Sequence, residues 1–176
     1  IGAGEQAGLQ VQALRLVRPI TEVRIWARDL RKARALSDQL GADTSLRVIA
    51  CDSLEATLDQ ADIAVTCTPS TQPLLRAEHL RPGLHITAMG ADAEHKNEIA
   101  PAVLARVDRY VADRLSQTQV LGELHHALEA GLAPECSRQC ELGQVIAGLA
   151  PGRLNARQIT LCDLTGTGAQ DTAIAN

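Results

Sequence analysis

Hydrophobic residues in this chain fall into short dense runs separated by longer amphipathic stretches. The runs at 21–27, 46–51, 63–68, 84–89, 110–112 and 158–162 are rich in Val, Ile and Thr, as strands buried in a parallel sheet are. Between them apolar positions recur at helical spacing. Residues 5–17 set Leu9, Ala13, Leu14 and Val17 on one stripe, and 30–40 set out Leu30, Ala33, Leu36 and Leu40 before a stop at Gly41. Ser53 is placed to cap a helix over 54–58. The pattern predicts further helices over 98–107, 117–130 and 142–149, with Gly131 and Pro134 ending the second of these. The stretch 131–140 is the least regular and reads as a surface connection.

Strands that alternate with helices require parallel pairing and right-handed crossovers. The first turn selects the variant. In Ile1-Gly2-Ala3-Gly4-Glu5-Gln6-Ala7-Gly8, Gly2 permits a tight turn out of a strand. Gly4 leaves room for a pyrophosphate, and Ala7 lets the first helix pack closely on the sheet. The N-terminus of that helix offers free N–H groups and a favourable dipole to the phosphates. Glu5 and Gln6 belong to the same turn. The expected fold is α/β: a doubly wound, mostly parallel, Rossmann-like sheet that binds NAD(P). A glycine-rich loop without a ligand is the plainer reading, but the immediate helix and the strand ending about 20 residues later are what the dinucleotide site requires.

The second strand ends at Ala27, where an NAD-specific domain places Asp or Glu for the ribose 2′-hydroxyl. Arg28 beside it is suited to a 2′-phosphate, through a charge-assisted bond worth about 1.5–3 kcal/mol. NADP is therefore favoured over NAD. Against this, Asp29 either swings back to the ribose or simply caps the next helix, leaving Arg28 as a solvated charge. After the run 63–68, Thr68 and Ser70 are candidates to bond ribose or nicotinamide, with Pro69 fixing the turn. A plain polar turn is the alternative.

A length of 176 residues suits one domain, here residues 1–176. Only Ile1 precedes the glycine turn, so the domain is expected to come from a longer protein. A net charge of −4 without a basic stripe, and Trp26 and Tyr110 as the only aromatics, leave no footprint for nucleic acid. No apolar run approaches the ~18 residues of a membrane span. Cys51, Cys67 and Cys162 sit in apolar runs, as reduced thiols of a cytoplasmic protein do. Cys136 and Cys140 could share a helix face near His125 and His126. Their spacing matches no zinc module, and adjacent histidines on a helix point roughly 100° apart, so no metal centre is expected.

Three segments together resemble the ornithine cyclodeaminase/mu-crystallin family. Gly2-Ala3-Gly4-Glu5-Gln6-Ala7 is similar to its GAGxQA turn. Met89-Gly90-Ala91-Asp92-Ala93-Glu94-His95-Lys96-Asn97-Glu98 is similar to its loop GxDxPGKxE. Asp163-Leu164-Thr165-Gly166-Thr167-Gly168-Ala169-Gln170-Asp171 is similar to its late strand-to-helix turn. The finer likeness of the second and third segments is to the ectoine-utilisation branch. The resemblance implies hydride transfer at the α-carbon of an amino acid or imine, by a cyclodeaminase, an amino-acid dehydrogenase or a ketimine reductase. It also implies a homodimer, and a small amino acid or imine substrate held by an N-terminal substrate and dimerisation domain that this chain lacks. Asp92 matches the loop aspartate beside nicotinamide and substrate amine, where a carboxylate accepts protons. Met89, Gly90 and Thr165 fall at the cofactor. For Asp92 the residues themselves equally allow a helix cap. Lys96 and Glu98 read as an exposed ion pair or cap. The chain departs from the pattern at Glu94-His95, where Pro-Gly is common, which puts the substrate in doubt. The Asp163 to Thr167 turn serves either the nicotinamide or a simple helix start. A second function class stays open: a non-catalytic nucleotide- or ligand-binding module of mu-crystallin type.

Overall fold

A computed structural model describes residues 1–42, 45–168 and 172. In chain order the elements are α1 (Glu5–Val17), β1 (Glu22–Ile25), α2 (Leu30–Gly41), β2 (Arg47–Ala50), α3 (Leu54–Leu58), β3 (Ile63–Thr66) and β4 (His85–Ala88). They continue with α4 (Pro101–Leu104), β5 (Arg109–Ala112), α5 (Leu115–Thr118), α6 (Gly122–Glu129), β6 (Gln139–Glu141), α7 (Leu142–Ile146) and β7 (Thr160–Asp163). Pairing is parallel throughout: β1 with β2, and a five-stranded sheet in the order β3-β4-β7-β5-β6. Ile1 and Gly2 join the two parts. The Ile1 amine donates to Val65 O at 2.7 Å, Cys67 N to Ile1 O at 3.0 Å, and Gly2 N to Trp26 O at 2.8 Å. Strand order thus reverses at the glycine turn, which is where doubly wound sheets bind ligands.

The local signals hold well. Asp29 caps α2 by accepting Arg31 N, and Ser53 caps α3 by accepting Ala56 N. Helix α2 buries Ala33 and Leu36 as its stripe requires. Helix α1 spans Glu5–Val17, as its apolar spacing predicts. Three expectations need correction. The helix predicted over 98–107 is only α4, because Pro101 restricts Ala100 to extended backbone and supplies the first helical position. The helix predicted over 117–130 breaks into α5 and α6 at Gly122, whose φ is +78°. A Cβ there would lie 2.8 Å from Thr165 Cγ2 and 3.1 Å from the Asp163 carboxylate. Within 131–140, Gln139 starts the edge strand β6, and Cys140 is buried while Cys136 is exposed on a 3₁₀ turn, so the two share no face.

The main core packs Leu75, Leu84, Ile86, Ile99, Leu104 and Leu161 around the five-stranded sheet. Within it lies a polar knot. The buried Asp163 Oδ2, at the end of β7, accepts Tyr110 Oη at 2.6 Å, Glu123 N at 3.0 Å and Leu124 N at 3.2 Å. It caps α6 from another element. Burial pushes the Asp163 carboxyl up to about 7, the three donors holding back part of the rise, and burial also pushes the Tyr110 hydroxyl upwards. The raised carboxyl binds a proton in the fold that the unfolded chain has released. Its contribution to stability is fully present below about pH 4 and is lost as pH rises through about 7. Asp163→Asn, which presents its amide oxygen to the same donors, removes this titration. Thermal melts from pH 4 to 8 should show wild type losing stability relative to that variant as pH rises; parallel curves would contradict the assignment.

Candidate functional site

The register aligns the carboxyl ends of the strands. Ala88 lies opposite Thr66 on one side and Asp163 on the other, and Asp163 lies opposite Ala112. Thr68, Gly90 and Thr165 each stand two residues beyond that row, as Ala27 stands two beyond the end of β1. The topology therefore brings these predicted residues to one edge, beside the glycine turn.

At the turn, Gly2 has φ +114°, and a Cβ there would come 2.9 Å from Cys67 O. Glycine is required for both reasons. Gly4 differs: a Cβ on it would meet nothing within 4 Å. Gly4 is the N-cap of α1, and no side chain caps this helix start. Glu5 and Gln6 are exposed on that first turn. Ala7 packs with Ala27 against the small core around Ile25, Ala33 and Leu36. The turn is an open cradle at a helix start, a setting in which anions bind in general.

Beyond β1, Arg28 is exposed. Asp29 is committed to its own helix: Oδ1 accepts Arg31 N and Arg31 Nε, and Oδ2 pairs with Arg31 Nη2 at 3.0 Å. These bonds to Arg31 hold the Asp29 carboxyl below its usual range. The capping alternative for Asp29 is thus the one observed.

Thr68 and Gly90 meet through Glu98. Thr68 N and Thr68 Oγ1 each donate to Glu98 Oε1 at 2.6 Å, and Gly90 N donates to Oε2 at 2.8 Å. Ser70 N in turn donates to Thr68 Oγ1. The Thr68 hydroxyl proton is therefore used internally. Pro69 is exposed beside it, and Met89 N donates to Thr66 O. Expected as an exposed ion pair or cap, Glu98 is instead fully buried; its three donors lie 8 and 30 residues away, beyond what local pattern can register.

Asp92 stands on the same loop with 55% of its side chain exposed and caps no helix, since the residues after it form turns. Its Oδ1 takes an ion pair from Lys96 Nζ at 2.5 Å. Glu94 and His95 are exposed. Thr165 is buried, and its hydroxyl is occupied: it donates to Asp113 Oδ1 and accepts Gln117 Nε2 at 2.9 Å. Of the late turn, Ala169, Gln170 and Asp171 lie outside the described residues.

Some residues of the site were not anticipated. Glu123, fully buried on α6, accepts Asn97 Nδ2 at 2.7 Å, Glu98 N at 2.9 Å and Ile99 N at 3.1 Å. Burial and the neighbouring Asp163 push its carboxyl well above the usual range, against the backbone bonds. Its signal was a carboxylate four residues before Ala127, on the apolar stripe. His126 Nε2 bonds Lys96 O at 2.7 Å, tying α6 to the Asp92 loop. Contrary to the divergence expected of helix neighbours, the rings of His125 and His126 are 5.0 Å apart. With Glu129 they bring one ligand atom each within 4.8 Å of one another.

A family model described as the ornithine cyclodeaminase/mu-crystallin family matches residues 1–176. An uncharacterized cyclodeaminase of Sinorhizobium fredii is 56% identical over 174 residues, covering 99% of this chain and 53% of that protein. Two solved structures are also similar. An archaeal alanine dehydrogenase, described as a dimer with bound NAD, has a TM-score of 0.89 at 34% identity, covering 99% of this chain and 53% of that one. The iminosuccinate reductase of Paracoccus denitrificans, in complex with NAD+, has a TM-score of 0.86 at 37% identity, covering 99% and 52%. The chain spans about half the length of the curated relatives it matches. No helix among the described residues is long and apolar enough to cross a membrane.

The two kinds of glycine should separate by substitution. A Cβ on Gly90 would run into Thr68 O and the Glu98 carboxylate, so Gly90→Ala should cost about 2–3 kcal/mol in denaturant unfolding. Gly4→Ala should cost less than about 1 kcal/mol. Equal costs would contradict this packing.

Proposed function

The chain belongs to the ornithine cyclodeaminase/mu-crystallin family, and we propose that it forms the NAD(P)-binding domain of an enzyme working at an α-carbon that bears nitrogen. The observation that carries this reading is the open space at Gly4, on an uncapped helix start where strand order reverses. When bound, the dinucleotide supplies a hydride acceptor or donor. The first N–H groups of α1 hold its pyrophosphate. The loops after β3 and β4, carrying Thr68-Pro69 and Met89-Gly90, shape the nicotinamide end of the crevice. Oxidation of an amino acid to its imine removes one hydride from the α-carbon and one proton from nitrogen. Asp92 takes that proton and returns it in imine reduction, with Lys96 orienting the carboxylate. The substrate is an amino acid or imine bound largely by parts of the protein outside these residues, and the whole protein is a cytoplasmic homodimer.

The cofactor we favour is NADP. Ala27 offers no carboxylate to a ribose 2′-hydroxyl, Asp29 is held by Arg31, and Arg28 is exposed at the tip of β1. Fluorescence titration should give tighter binding of NADPH than NADH, and at least tenfold tighter NADH binding would reject the preference. Gly4→Val should abolish binding of both while shifting the melting temperature little. Retained affinity in that variant would sink the assignment of the cradle. In the full-length enzyme, Asp92→Asn should lower turnover at least about 100-fold with cofactor affinity kept; full turnover would remove Asp92 from the mechanism.

A further inference from the structure

Behind the loops at the nicotinamide end lies a carboxylate that this chemistry does not use. Glu98 is 0% exposed. Burying a carboxylate is costly unless hydrogen bonds replace its water. Here Oε1 and Oε2 receive three donors, from Thr68 after β3 and Gly90 after β4. One side chain thus spans the carboxyl ends of two adjacent strands.

The backbone of Glu98 is fixed as firmly as its side chain. Its carbonyl accepts Leu74 N at 2.8 Å and Leu75 N at 3.0 Å, and its N–H donates to Glu123 Oε1. Asn97 N is bound by Ser70 O, and Ala100 N by Leu75 O. Glu98 therefore cannot follow a shifting loop; the loops conform to Glu98. Gly90 fits against it only because it has no Cβ, which would strike the carboxylate. Of these backbone ties, the one to Glu123 anchors Glu98 to helix α6.

Resting on the dinucleotide reading above, we propose that Glu98 is a positioning residue for the nicotinamide half of the cofactor. It locks Thr68-Pro69 and Met89-Gly90 into one geometry and fixes the origin of the loop that carries Asp92. None of its hydrogen bonds involves the glycine turn or the tip of β1, where the adenosine half would lie. Its influence on binding is accordingly one-sided.

Glutamine tests this at constant shape. All three partners of the carboxylate are donors, and an amide nitrogen adds donors of its own, so one contact becomes donor against donor. The dissociation constants of NADH, NADPH and the nicotinamide-free fragments ADP-ribose and its 2′-phosphate are measured for wild type, Glu98→Gln and Thr68→Val. Expected for Glu98→Gln is at least tenfold weaker binding of the preferred dinucleotide, with its fragment within twofold of wild type. Thr68→Val, which deletes one of the three donors, should show the same selective loss to a smaller degree and stands alone if the glutamine variant does not fold. Unchanged dinucleotide binding overturns the proposal. So does an equal loss for dinucleotide and fragment, which would make Glu98 a brace of the whole domain. A wild-type protein that bound neither class would overturn the dinucleotide reading itself, and this role with it.

Discussion

A buried N–H must find an acceptor, and along the carboxyl edge of this sheet three buried carboxylates serve beside the backbone carbonyls. Asp163, at the end of central strand β7, receives the first N–H groups of α6. That helix carries Glu123, which receives the N–H groups of residues 98 and 99. Glu98 in turn receives those of Thr68 and Gly90. Loops separated by tens of residues are referred step by step to one strand. The positions of the site loops depend on that relay more than on any turn of their own.

The relay has an electrostatic cost. Asp163 and Glu123 both have carboxyls raised by burial; Asp163 further disfavours the charge of Glu123, and Asp113 that of Asp163. Ordered donors offset the desolvation, Tyr110 Oη among them. Such a network specifies its loops closely, because removing one donor leaves a buried acceptor short. This explains how an exposed loop bearing Asp92 can begin from a well-defined point.

Glycines divide along the same line. Gly2, Gly90 and Gly122 are crowded, by Cys67, by Glu98 with Thr68, and by Thr165 with Asp163 respectively. Gly4 is crowded by nothing. The first three serve packing of the chain against itself. Gly41, Gly131 and Gly148 are as open as Gly4, so what distinguishes Gly4 is its place at the start of α1, where strand order reverses.

Much of the architecture was legible in the chain because its causes are local. Periodicity marked β1 to β5 and α2, side-chain chemistry marked the caps Asp29 and Ser53, and glycine spacing marked the turn that opens α1. Neighbours in sequence decide these features. What only the tertiary structure decided is which polar residues leave water. Glu98 looked like a surface charge and is a buried tie, Gln139 and Cys140 looked like part of a loop and pair with β5, and one apparent helix breaks where Gly122 meets Thr165. Each outcome rests on partners 25 to 48 residues away or at another strand's edge, such as Glu98 N with Glu123 and Gln117 with Thr165. The free energy of burying a polar group is set by the donors that meet it, and those donors are assembled only when the sheet is.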